Sequence, residues 1–238
     1  KPDLAKQYAM EAVRDGVMET ADDSALFQSW GSITIINPLE KIWNGYSDTR
    51  MGASMDSYLN GYNDPRLPVY FQPVTEGDNK GEYRGVANGM PNPQQDDYKA
   101  MSAPNVQEKS TDSPLRWMMA SEVAFLRAEG AMRGWTAEMG GTAEEFYNKG
   151  IELSFLENGL SADAAARYAA DETSKPTDFT DVSAANTKYN ISALGKITIK
   201  WNAGASEEEQ LERIITQKWI AMFPNGTEAW SEFRRTGY

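Results

Sequence analysis

Residues 115–133, LRWMMASEVAFLRAEGAMR, and 142–158, TAEEFYNKGIELSFLEN, decide how this chain folds. The first run has no breaker except Gly130. Its apolar residues cover most of a helical circumference, which predicts a largely buried helix over 115–133. Gly134-Trp135 ends it. The second run opens on Thr142-Ala143-Glu144-Glu145. That is the spacing of a capping box, in which hydroxyl and carboxylate satisfy each other's backbone amides. Phe146, Gly150 and Leu153 then share a stripe flanked by Tyr147, Ile151 and Phe155. Asn158-Gly159 closes this helix. The pair reads as an antiparallel hairpin, and the small Ala124, Ala128 and Ala131 let its helices approach closely.

Working outward, helical signals mark both ends of the chain. Leu4, Tyr8, Ala12 and Gly16 form a stripe that predicts a helix over 3–19, with Asp3 as its cap. Ser161 caps a short Ala-rich helix to about Ala170. Ser206 to Glu209 reads as a second capping box, and Leu211, Ile214, Ile215, Trp219, Met222 and Phe223 line the helix behind it. After the turn at 224–226, Thr227 is expected to cap a last helix carrying Trp230 and Phe233. Two short strands are expected, at Ile33–Ile36 and over Ile197, Ile199 and Trp201.

The middle is different. Seven of the eleven prolines fall within 60–114, and Gly77, Gly81, Gly85 and Gly89 recur every fourth residue. Such density forbids long helices. Long irregular stretches in compact domains are often functional. This one carries Tyr62, Tyr70, Phe71, Tyr83 and Tyr98.

Composition removes whole classes of chemistry. The chain has 238 residues with neither Cys nor His. A Ser-His-Asp triad, a Cys nucleophile, a His base and a structural zinc site are therefore impossible. The formal net charge of −12 opposes nucleic-acid binding and docking on anionic lipid. No phosphate loop and no EF-hand loop is present, so neither a cofactor nor a metal is expected. No apolar run approaches the roughly 20 residues of a membrane helix.

Candidate residues sort by context. Glu122 and Glu129 lie two helical turns apart, about 10 Å along the axis. That is at or beyond the limit for an inverting glycosidase pair. Packing and an Arg133–Glu129 ion pair are the preferred reading. Arg234 and Arg235 could clamp an acidic sugar, but anchoring the chain end is favoured. Trp117, Trp219, Trp230, Phe125 and Phe155 sit on apolar stripes and are expected in the core. Aromatics in irregular segments are the ligand candidates, because a flat exposed ring stacks on the C–H face of a sugar while neighbouring polar groups bind its hydroxyls. The set is Trp43, Asn44, Tyr46 and Asp48; Tyr62 and Asn63; Tyr83 and Arg84; and Trp201 and Asn202.

Several segments, in order, resemble the SusD/RagB family. Ser113–Gly130 carries the paired "AE" positions at Glu122 and Glu129, with Ser121 in place of the first Ala. Phe146-Tyr147-Asn148-Lys149-Gly150-Ile151 with Ser154-Phe155 is similar to the family's "YN.GI..S" helix. Ile215–Phe223, Glu228-Ala229-Trp230 and Phe233–Tyr238 are similar to its terminal "QKWIALF…EAW…RRTGYP" signature. Asp64-Pro65-Arg66-Leu67 fits the same family. The resemblance implies a mainly α fold with tetratricopeptide-type helical hairpins, a long irregular loop region and a few short strands. It implies one SusD-like domain over 1–238, as the C-terminal part of a longer protein. The start at Lys1-Pro2-Asp3, without Met, reads as a fragment lacking an N-terminal helical part. The function implied is non-catalytic oligosaccharide capture on the extracellular face of the outer membrane, beside a SusC-like TonB-dependent transporter. Membrane attachment would be through a lipid anchor outside this chain. A transporter lid or assembly subunit for a non-glycan nutrient is the alternative, and a carboxylate-based glycosidase a weaker one.

Overall fold

The computed structural model describes residues 2–105 and 113–238, so 106–112, part of the irregular stretch at 60–114, lie outside the described residues. In chain order the helices are α1 (Pro2–Asp15), α2 (Pro38–Glu40), α3 (Ala53–Gly61), α4 (Leu67–Tyr70), α5 (Gln95–Tyr98), α6 (Ala120–Gly130), α7 (Thr136–Met139), α8 (Ala143–Glu157), α9 (Ala162–Ala169), α10 (Glu207–Ala221) and α11 (Gly226–Thr236). Two short strands, β1 (Ala25–Phe27) and β2 (Leu115–Met118), pair as a two-stranded sheet. The fold is therefore mainly α. No helix among the described residues is long and apolar enough to cross a membrane.

The chain divides into two compact units. One comprises residues 2–26, 116–172 and 199–238; the other, 27–115 and 173–198.

The first unit is helical, and α6 packed on α8 is its centre. Gly150 is required there, because a Cβ would lie 2.7 Å from the Phe125 ring. Phe125 meets Tyr147 edge-on at 6.2 Å, and Tyr147 meets Trp201 at 5.2 Å. Phe125, Tyr147, Ile151, Phe155, Ile214 and Ile220 are all fully buried. The caps at Thr142, Ser161 and Ser206 fall where the sequence placed them, but Asp3 lies inside α1 and the Ser206–Glu209 box is half formed, since Glu209 pairs with Arg213. Thr142 and Glu145 form the capping box, with Glu145 Oε2 accepting from Thr142 N at 2.7 Å and Thr142 Oγ1 from Glu145 N at 3.2 Å. Ser161 and Ser206 each accept from the amide three residues on. Asn225, not Thr227, caps α11, accepting from Glu228 N at 3.2 Å.

Three expectations are corrected. The start of the 115–133 helix is taken by β2, since strand pairing overrides a weak helical propensity. Its end is where Gly134-Trp135 was expected to put it: a π-helical turn follows Gly130 and stops where Gly134 turns to φ +86°. Ile33–Ile36 forms no strand: Trp30 and Ile33 exchange both backbone hydrogen bonds around Gly31, and the Ser29 hydroxyl accepts from Ile35 N at 2.9 Å. Over 197–201 burial does alternate, but no ladder forms. Instead Ile199 O accepts from the Tyr147 hydroxyl at 2.5 Å, and Lys200 N donates to Asp171 O at 2.8 Å.

The second unit is largely irregular, and side chains supply the hydrogen bonds that ladders would have made. Asp64 and Arg66 form a fully buried pair, with Nη2–Oδ2 2.6 Å and Nε–Oδ1 2.9 Å. Asp56 Oδ2 accepts from Gly85 N at 2.6 Å and Oδ1 from Asn60 Nδ2 at 2.9 Å. Asp181 accepts from the amides of Ser183 and Tyr189. Two small apolar clusters lie beneath: Val74, Tyr98 and Met101, and Ala53, Ala87 and Phe179.

Candidate functional site

The second unit carries a groove of about 740 Å³. Its floor is Val86, Ala87, Met90 and Tyr98, which belong to or pack on the two apolar clusters. The floor segment is held from behind. Val86 N donates to Met51 O, and Ala53 N to Val86 O, both at 2.8 Å. Gly85 permits that approach: a Cβ there would come within 3.0 Å of the Met51 and Gly52 carbonyls. One wall is Tyr46, Asp48 and Arg50; the other is Asn88, Pro93, Gln94 and Gln95.

Tyr46 follows a π-helical turn over Lys41–Gly45, which buries Trp43 beneath it and leaves Tyr46 59% exposed. The Lys41 Nζ lies 5.8 Å from the Tyr46 ring centroid. Ser47, at φ +55°, then redirects the chain. Arg50 is fastened to backbone: Nη1 donates to Ser47 O (3.0 Å) and Thr49 O (2.8 Å), and Nε and Nη2 donate to Lys99 O (3.2 and 2.7 Å). Burial pulls the guanidinium below its ordinary pKa, and Asp48 opposes that shift. Asp48 itself is exposed.

The residues singled out in the sequence fall into three groups. Tyr46 and Asp48 line the groove, and Asn44 is exposed in the turn leading to them. Trp43, Tyr62 and Trp201 are corrected to core positions. Their rings are buried: Tyr62 is 2% exposed with its hydroxyl on Ile197 O, and Trp201 packs on Tyr147. None of the three presents a face for stacking. Asn63, Tyr83, Arg84 and Asn202 do not line this groove. Arg84 Nε donates to Glu82 at 2.9 Å, Asn63 Nδ2 to Ser174 Oγ at 3.4 Å, and Asn202 Oδ1 accepts from Gly204 N. Two helix aromatics also depart from expectation: Trp117 is 72% and Trp230 60% exposed. Sequence reasoning missed Arg50, Asn88, Gln94 and Gln95. The run Asn92-Pro93-Gln94-Gln95, rich in amides and turn-forming, was the available signal; Arg50 had none.

The helix carboxylates and arginines form ion pairs. Glu129 binds Arg133 (2.7 Å) and accepts two bonds from Arg235 (2.7 Å each), and Arg235 also reaches Glu232. Burial alone would raise Glu129, but the two guanidinium groups outweigh it and hold it below the usual range. Lys218, 1% exposed, faces Glu122 (3.8 Å), Glu228 (3.3 Å) and Glu232 (3.2 Å). Burial pushes Glu122 up, with Lys218 pulling the other way.

A family profile described as SusD-like, "Susd and RagB outer membrane lipoprotein", matches residues 1–238. The chain belongs to the SusD-like family. Solved structures agree. A chitin-binding SusD homologue from Flavobacterium johnsoniae is 41% identical, with a TM-score of 0.89 over all of this chain and 47% of its own. A SusD-like protein from Bacteroides thetaiotaomicron is 43% identical, with a TM-score of 0.89 over all of this chain and 48% of its own. A SusD homologue from Bacteroides vulgatus is 37% identical, with a TM-score of 0.88 and 47% of its own length covered. This SusD-like chain thus spans about half the length of those structures. A comparison with curated proteins finds no match. The family's description is that of an outer-membrane lipoprotein.

Proposed function

We propose that this SusD-like chain binds oligosaccharide without cleaving it, in the groove between Tyr46 and Gln94–Gln95. On this reading it acts on the extracellular face of the outer membrane, held by a lipid anchor outside this chain, and passes its ligand to a SusC-like TonB-dependent transporter. The observation that carries the reading is the groove itself. It joins a solvent-facing ring, Tyr46, to a carboxylate and three side-chain amides over an apolar floor fixed by the core. A sugar ring has an apolar C–H face and a rim of hydroxyls, and it needs both surfaces at once. The non-catalytic part is supported by Glu122 and Glu129, whose carboxylates are engaged by Lys218 and by Arg133 and Arg235. The Flavobacterium johnsoniae homologue described as chitin-binding makes chito-oligosaccharides the first ligands to try.

Titration calorimetry tests the binding. Chitohexaose or another oligosaccharide should bind, and Tyr46→Ala should weaken it about tenfold, the loss of one stacked ring. Saturable binding with no release of shorter sugars supports the reading. Failure of every oligosaccharide, with an amino acid, peptide or other nutrient retained instead, removes it. Transporter delivery is tested separately, by co-purification of a TonB-dependent barrel from outer membranes.

A further inference from the structure

We infer that the groove selects neutral sugars and rejects carboxylated or sulfated ones; this rests on reading it as the glycan site. An anionic sugar is normally held by a guanidinium offering two parallel N–H groups, or by several cations. Among the described residues, Arg50 is the one cationic residue lining the groove. Four of its five N–H groups are already bonded, to Ser47 O, Thr49 O and Lys99 O. One N–H remains on Nη2, and one cannot form a fork. Arg50 therefore braces the wall and does not clamp an anion.

Asp48 supplies the opposite preference. It is the acidic residue on the same wall, it is exposed, and no hydrogen bond or ion pair engages it among the described residues. An ionised carboxylate only accepts. It suits a sugar hydroxyl, which donates, and repels a uronate or sulfate. Asn88, Gln94 and Gln95 offer both donors and acceptors, matching hydroxyl and acetamido groups without asking for charge. Lys41, beside Tyr46, is the nearest counter-argument, yet it does not line the groove. The chain's net charge of −12 acts in the same direction at long range, and salt screens that part.

The experiment is calorimetry at high salt with two ligand sets: chitohexaose and cellohexaose, against hexagalacturonate and a hyaluronan hexamer. Neutral ligands should bind at least tenfold more tightly. Asp48→Asn, which keeps shape and an acceptor, should narrow that ratio threefold or more. Far-UV circular dichroism checks that the variants fold. Acidic ligands binding as tightly as neutral ones, and losing affinity in Tyr46→Ala, would overturn the selectivity while leaving the glycan reading intact. A ratio unchanged in Asp48→Asn also overturns it, because the preference would then not arise in the groove. An acidic ligand lost in Lys41→Ala would overturn it too, in favour of Lys41. Binding by neither set overturns both.

Discussion

The two units are built on different terms. In the helical unit, spacing does the specifying. Apolar stripes on α6, α8 and α10 meet at buried rings such as Phe125 and Tyr147, and polar residues are largely left to caps and ion pairs. In the loop-rich unit, single polar side chains do it. Asp56 fixes the backbone at Gly85, Asp64 fixes Arg66, Arg50 fixes three carbonyls, and Asp181 fixes two amides. A periodic helix spreads its stability over many equivalent contacts. An irregular scaffold concentrates it in a few bonds that are costly to lose, since a buried backbone group without a partner is expensive. The candidate groove sits on the second kind of scaffold, where a loop can carry ligand groups because polar anchors hold its shape.

The largest expected effect tests that contrast directly. Asp64→Ala leaves the Arg66 guanidinium buried without its carboxylate and should cost about 4 kcal/mol in urea denaturation. A loss under about 1 kcal/mol would mean the loop-rich unit does not depend on single polar anchors. The helical counterpart is Lys218→Met, which removes the cation facing Glu122, Glu228 and Glu232. It should cost roughly 3 kcal/mol, because the acids stay crowded after the charge has gone. Smaller still are two matched hydroxyl deletions. Tyr62→Phe removes a donor to Ile197 O in the loop-rich unit, and Tyr147→Phe a donor to Ile199 O in the helical unit. Each should lower stability by about 1 kcal/mol, seen as a shift in the thermal midpoint.

The same contrast governs what could be read from the sequence. The hairpin of α6 and α8, the caps at Thr142, Ser161 and Ser206, and the burial of Phe125 and Phe155 follow from spacing, a local property. Trp117 was misplaced because a strand, formed with residues some ninety positions away, took over the first turn of its helix. The groove depends on contacts that no local pattern encodes. Arg50 reaches Lys99 O across 49 residues, and Gly85 N reaches Asp56 across 29. The rule that aromatics in irregular segments stay exposed holds for Tyr46 and misplaced Trp43, Tyr62 and Trp201. In a scaffold with little helix, buried rings must come from irregular segments too, so exposure cannot be inferred from irregularity.

The smallest effect is also the most specific, since it sets one buried carboxylate from each unit against the other. Asp56 is bonded to neutral donors, Gly85 N and Asn60 Nδ2. Burial therefore prevails and raises it above the ordinary 3.8. Glu129 is also buried but meets two guanidinium groups, and they hold it below the ordinary 4.5. The linkage signs are opposite. A lowered carboxylate binds its proton more weakly when folded, so Glu129 contributes stability that is complete above about pH 4.5 and is lost as pH falls through its folded value. A raised carboxylate takes up its proton sooner when folded, so Asp56 contributes stability that grows as pH falls through its folded value towards 3.8. Glu129→Gln should therefore flatten the acid loss of stability below about pH 4.5, and Asp56→Asn should steepen the decline above pH 3.8. Urea midpoints measured from pH 7 to pH 3 on the parent and both variants read this out. Slopes changing in the same direction for both variants would mean that neutral donors and guanidinium groups hold these two carboxylates alike, and the distinction between the units would not extend to their buried charges.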